Sequence, residues 1–68
     1  MSDLVDVIEV QINEPHTVRV MESGLTERNA EAFIKLAVMR RGVDNQFYTT
    51  APIRQYRDGD TLHRVHSK

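Results

Sequence analysis

At 68 residues, with no cysteine, 40% hydrophobic and 28% charged residues and a formal net charge of −1, the chain has the make-up of one small folded domain. A chain this short buries too little surface for a deep catalytic cleft beside a core, and the absent cysteines exclude a disulfide frame, a thiolate nucleophile and a cysteine-based zinc site. No apolar run nears the roughly 20 residues of a membrane span, and Met1-Ser2-Asp3 lacks the basic start of a signal peptide, so a cytoplasmic protein without enzymatic activity is expected.

Residues 4–12 alternate toward their end, with Ile8, Val10 and Ile12 on one face and Val7, Glu9 and Gln11 on the other, which predicts a first strand. Asn13-Glu14-Pro15-His16 turns the chain, and residues 17–22 resume the period of two with Val18 and Val20 inward. The outer positions Thr17, Arg19 and Met21 then lie beside Val7, Glu9 and Gln11, where Arg19 can meet an acid across the strands. Ser23-Gly24-Leu25 is expected to break the strand.

Thr26 is a good N-cap for a helix over residues 26–41. Ala30, Phe33, Ile34, Ala37 and Val38 share one face, Glu27 and Glu31 suit the positive end, Arg40 and Arg41 suit the negative end, and Gly42 supplies a stop. Ala32 and Met39 fall opposite that stripe. With Leu36 at its margin they form an exposed apolar patch that a partner or a dimer mate would cover.

Asp44-Asn45 is a turn, and residues 46–51, rich in aromatic and β-branched side chains, predict a third strand that Pro52 ends or marks as an edge. Residues 53–57, Asp58-Gly59 and residues 60–65 read as a closing hairpin, because Asp-Gly tolerates the positive φ angles of a tight turn. The expected order is ββαβββ: an α+β fold, residues 1–68 forming a single domain, with one helix on an antiparallel sheet. In two layers the helix would bury the Ile8/Val10/Val18/Val20 face and leave the other sheet face open. That open face would carry Gln11, Thr17 and Arg19. Beside them would stand Tyr48 and Thr50 or Phe47 and Thr49, and one row of the last hairpin, Arg54, Tyr56 and His63 or Gln55, Leu62 and Arg64.

Charge is unevenly spread along the chain. Residues 1–31 hold seven acids against Arg19 and Arg28, a net of −5, whereas residues 32–68 carry +4, and seven of the nine basic residues are Arg. Arginine pairs bidentately with carboxylate or phosphate and stacks on rings, which suits recognition. Alternatively, strands from the two halves interleave and the charges mix at the surface.

Catalytic patterns are missing: there is no Gly-rich phosphate loop and no serine in a nucleophile elbow. His63 and His66 would point to opposite faces of a strand, and Asp58 and Asp60 lack the further oxygens of a calcium loop. No metal or cofactor is therefore expected. Binding patterns are better represented. Arg54, Tyr56, Arg57 and Arg64 set guanidinium groups around a ring, Lys35, Arg40 and Arg41 extend a basic surface at the helix end, and Tyr48 or Tyr56 offers an aromatic anchor. An edge hairpin kept soluble by its charges accounts for the same residues.

A first hairpin, a helix opening after the small-residue break at Ser23-Gly24, and short strands around Tyr56-Arg57-Asp58-Gly59 resemble small phage-encoded inhibitors. Among these are anti-CRISPR proteins that target type I surveillance complexes; phage inhibitors of bacterial RNA polymerase have a similar ββαβ core. The resemblance lies in architecture, and no family residue is carried over. It implies a stoichiometric inhibitor that docks on a host nucleoprotein complex in the host cytoplasm. Direct nucleic-acid contact through a basic sheet face is a second expectation. Mimicry of DNA phosphates by Asp3, Asp6, Glu9 and Glu14 is a third, and a homo-oligomer a fourth.

Overall fold

The computed structural model describes residues 3–62. Four elements come in order: β1 (Val5–Gln11), β2 (Val18–Leu25), α1 (Glu27–Arg41) and β3 (Gln46–Pro52). The strands form one sheet in the order β2-β1-β3, antiparallel at both contacts, so β1 is central. β2 and β3 thus run parallel on either side of β1, and α1 is the crossover between them. The α+β class holds, in the order ββαβ.

Alternation places the first hairpin in the expected register, with Ile8 opposite Val20, Val10 opposite Val18 and Glu9 opposite Arg19. Further along, the register slips twice, so that three steps along β1, from Val5 to Ile8, match five along β2, from Leu25 to Val20. β2 therefore continues through Ser23-Gly24-Leu25 instead of breaking there. Bulges absorb the extra residues, and Gly24 adopts a φ of 75° that a side chain would resist.

The helix ends match their caps. Thr26 Oγ1 accepts the Asn29 N–H at 3.2 Å, and Gly42, at a φ of 75°, donates its N–H to the Val38 carbonyl at 2.8 Å. Ala30 and Ala37 are the buried helix residues, their small side chains letting the helix sit close to the sheet, while Phe33 and Ile34 are half-buried and Val38 is exposed.

Which face the helix covers differs from the expectation. Ile8, Val10, Val18 and Ala51 form a buried cluster, but the side chains packed on it are Val20, Tyr56 and Leu62, none from α1. The helix lies on the other face. There Val7 is fully buried, Arg41 approaches Glu9, and Phe33 and Ala37 line a groove with Met21. Both faces of the sheet are covered, and the open face expected from a two-layer arrangement is absent among the described residues.

The second covering layer is the segment predicted as the closing hairpin. Residues 53–57 form no strand: Arg54 turns into the left-handed region at a φ of 65°, and Gln55 N–H donates to the Pro52 carbonyl at 3.1 Å. Asp58-Gly59 does turn, yet the chain at this turn and just beyond it docks on the outer edge of β2. Val18 donates to the Asp60 carbonyl at 2.6 Å and accepts the Gly59 N–H at 2.9 Å, and Val20 N–H donates to Asp58 Oδ1 at 2.7 Å. Thr61 bridges Thr17, and Leu62 N–H reaches the His16 carbonyl at 2.9 Å. Residues 53–62 are thus a strap that crosses the sheet from β3 and closes the β2 edge, with an aspartate oxygen standing in for a strand carbonyl. Residues 63–65 of the predicted fifth strand lie outside the described residues.

Asp6 anchors this strap. Only 2% exposed, its carboxylate accepts Ser23 Oγ–H at 2.7 Å and Gly24 N–H at 3.3 Å on Oδ1, and Arg54 N–H at 2.9 Å on Oδ2. One side chain thereby joins the bulged end of β2 to the start of the strap. Burial acts to raise its pKa, but the bonds from Ser23, Arg54 and Gly24 and the Arg54 charge outweigh burial and hold the pKa below the ordinary aspartate value. The depressed pKa means that Asp6 stabilises the fold above the ordinary carboxylate range, a contribution lost as pH falls through its folded pKa. Asp6→Asn replaces one acceptor oxygen with a donor facing donors. It is expected to cost about 1–3 kcal/mol at neutral pH in urea unfolding, and the loss of stability on acidification becomes smaller in the variant than in the parent.

Candidate interaction surface

On the helix side of the sheet, a buried polar cluster fixes the end of α1. Glu9, 5% exposed in the middle of β1, accepts the Tyr48 hydroxyl at 3.0 Å on Oε2, and Arg41 Nε stands 3.8 Å from the same oxygen. Gln46 Nε2 donates to the Gly42 carbonyl at 3.0 Å, satisfying a free carbonyl at the helix end, and lies 3.4 Å from the Tyr48 hydroxyl. Burial first, and then the bond to Glu9, push the Tyr48 phenol above the ordinary tyrosine range, against the Gln46 bond and the Arg41 charge. Arg19 lies opposite Glu9 in register, but the ion pair among the described residues is that of Arg41.

Tethering the helix end in this way shapes the surface beside it. Met21 from β2, with Phe33, Leu36 and Ala37 from α1, lines a groove of about 320 Å³ bordered by Arg40 and Arg41. Leu36 is 56% exposed at the groove, and Met39, one turn on and farther round the helix, is 81% exposed. The apolar patch predicted from Ala32, Leu36 and Met39 is therefore present as exposed surface. Its continuation into a groove through Met21 and Phe33 was not legible. Phe33 fits the core stripe by periodicity, and the signal for Met21 was its place in the same row as Val7 and Glu9.

The predicted contact residues do not form one surface. Lys35, Arg40 and Arg41 are exposed on α1, with Lys35 about 140° around the helix from Arg40. Arg54 and Arg57 are exposed on the strap, which packs against the opposite face of the sheet. Tyr56 turns its ring into the Ile8/Val10/Val18/Ala51 cluster and is half-buried. Tyr48, 8% exposed, belongs to the polar cluster and not to an open face. Arg64, His63 and His66 lie outside the described residues. An Arg and Tyr platform on a bare sheet face is therefore not what the chain builds, because the strap covers that face. Asp6 and Glu9 likewise belong to the interior, which removes two of the four acids from any displayed phosphate-like array.

Among the described residues, no helix is long and apolar enough to cross a membrane. Comparison with the models of known protein families, with curated proteins and with solved structures finds no match.

The two parts of this region respond differently to substitution. Tyr48→Phe leaves a buried carboxylate short of a bond and is expected to lower stability by about 1–2 kcal/mol, read from urea unfolding. Leu36→Glu and Met39→Glu act on exposed positions and are expected to stay within about 0.5 kcal/mol of the parent.

Proposed function

We propose that this chain is a non-enzymatic binding protein that docks as a stoichiometric inhibitor on a host nucleic-acid-handling complex, gripping an acidic, apolar-anchored protein segment in the groove between α1 and β2. The observation that carries this is exposed Leu36 in a groove bordered by Arg40 and Arg41, with exposed Met39 one turn farther along the helix. An apolar floor with arginines at its border suits a partner that inserts a hydrophobic side chain and presents carboxylates around it, since buried apolar anchors supply most docking energy and charged rims supply selectivity. The resemblance of the first hairpin and the helix that follows it to small phage-encoded inhibitors is the ground for proposing an inhibitory role and a site of action in the host cytoplasm. Small size and the coverage of both sheet faces favour surface docking over catalysis or a sheet-face nucleic-acid platform.

The test is affinity capture on the immobilised chain with purified host complexes, a type I surveillance complex and RNA polymerase, each stripped of free nucleic acid. Parent protein is expected to retain one of them, with Leu36→Glu weakening capture by roughly 30-fold or more and Arg40→Glu by a smaller factor. Retention of neither complex, or retention unchanged in Leu36→Glu, overturns the proposal. Steeply salt-dependent binding to nucleic-acid probes that Leu36→Glu leaves intact would point instead to phosphate contact.

A further inference from the structure

The two edges of the sheet are treated differently. The outer edge of β2 is closed by the strap, whose Asp58, Gly59 and Asp60 take up the free backbone groups of Val18 and Val20. No group among the described residues bonds to the outward backbone groups of β3 at Gln46, Tyr48 and Thr50.

The bonding parity is set by two contacts. Gln11 N–H points to Thr17 on β2, so the odd-numbered residues of this part of β1 serve β2; Ile12 N–H points to Asn45, so the even-numbered ones serve β3. In the β1–β3 register, Phe47, Thr49 and Ala51 are the partners of Val10, Ile8 and Asp6. Their backbone groups are spent on β1. Those of Gln46, Tyr48 and Thr50 face outward, and so does the Pro52 carbonyl, which accepts Gln55 N–H. Pro52 has no N–H, so the open window is residues 46–50.

We infer that two copies of this chain join through that window, β3 pairing antiparallel with β3 of the second copy about a two-fold axis at Tyr48, to make one continuous six-stranded sheet. The axis pairs Tyr48 with itself and Gln46 with Thr50 of the second copy, all in the hydrogen-bonded positions, and sets Phe47 against Thr49 in the intervening ones.

Two observations select a second copy as the occupant. β3 carries no charged residue and no register slip against β1, so it lacks the devices that keep an edge strand from pairing with its own kind. β2 has Arg19, Glu22, two slips and a cover. The half-exposed Phe47 gains a cross-strand neighbour in the pairing. The groove lined by Met21, Leu36 and Arg40 is on the β2 side of the helix and stays free, so the inference is independent of the proposed docking and would make it bivalent.

Sedimentation equilibrium of the full chain, from micromolar to near-millimolar concentration, tests this directly: a monomer–dimer equilibrium is expected, and a monomer throughout overturns it. Thr50→Pro removes an outward N–H without touching the bonds to β1. The dimer Kd is expected to rise about tenfold or more with the far-ultraviolet circular dichroism unchanged; an undisturbed dimer in a folded variant assigns the contact to another surface. A second measurement holds whether or not that variant folds. Phe47→Cys and Thr49→Cys, purified separately and mixed under oxidation, should cross-link to each other and not to themselves, because unlike pairs face each other and like pairs are diagonal and too far apart for a disulfide. Failure of the mixture to cross-link, or equal cross-linking within each variant, overturns the register.

Discussion

β1 lies between both other strands and between both covering layers, so every polar group it carries must be met by something brought to it. It holds two carboxylates, Asp6 and Glu9, on opposite faces and almost wholly buried. Each ties the central strand to a different layer. Asp6 gathers the bulged end of β2 and the first turn of the strap, and Glu9 gathers Tyr48 and, through Arg41, the end of the helix. In a chain with so small a core, these paired groups add more specificity than bulk: unmatched, each would cost several times what a surface contact contributes.

The strap accounts for much of the remaining architecture. By crossing the Ile8/Val10 face it supplies Tyr56 and Leu62 as core side chains, and by docking on β2 it removes one of two edges. Carboxylates do part of that work: Asp58 serves the Val20 amide and Asp6 the Arg54 amide where a sheet would use carbonyls. Among the described residues this enclosure leaves open the flank of the helix beside β2, where apolar side chains meet arginines, and the uncharged edge of β3. Both surfaces border the Glu9 cluster: Arg41 stands at the groove, and Gln46 and Tyr48 lie on the β3 edge, so the groups that hold the helix end also set the shape of each surface.

How much was legible depended on how local each determinant was. The helix was readable from Thr26 to Gly42 because caps and the 100° stripe are encoded within a few residues. The first hairpin was readable because its alternation sets the pairing. The expected last hairpin does not form, for a reason that is specific and physical. The Asp-Gly turn is real, but residues 53–57 do not extend, because the Arg54 amide bonds to Asp6, 48 positions earlier, and Arg54 is held in a left-handed conformation. No window around residue 54 contains that partner. Likewise the arginines on the helix and those on the strap looked like one basic group in sequence and lie on opposite sides of the sheet.

The sequence by itself determined the class of the fold, the positions of the helix and of three strands apart from the continuation of β2 through residues 23–25, the two rows of side chains on β1 and the exposure of Leu36 and Met39. All of these arise from periodicity and capping within short stretches of chain. Only the tertiary structure decided which row meets the helix and which meets the strap, why Tyr48 and Tyr56 are interior, and which sheet edge is left open. Alternation says that two rows exist and is silent on what covers each. That is settled by the path of the chain after β2 and β3 and by the distant carboxylates that capture its amides.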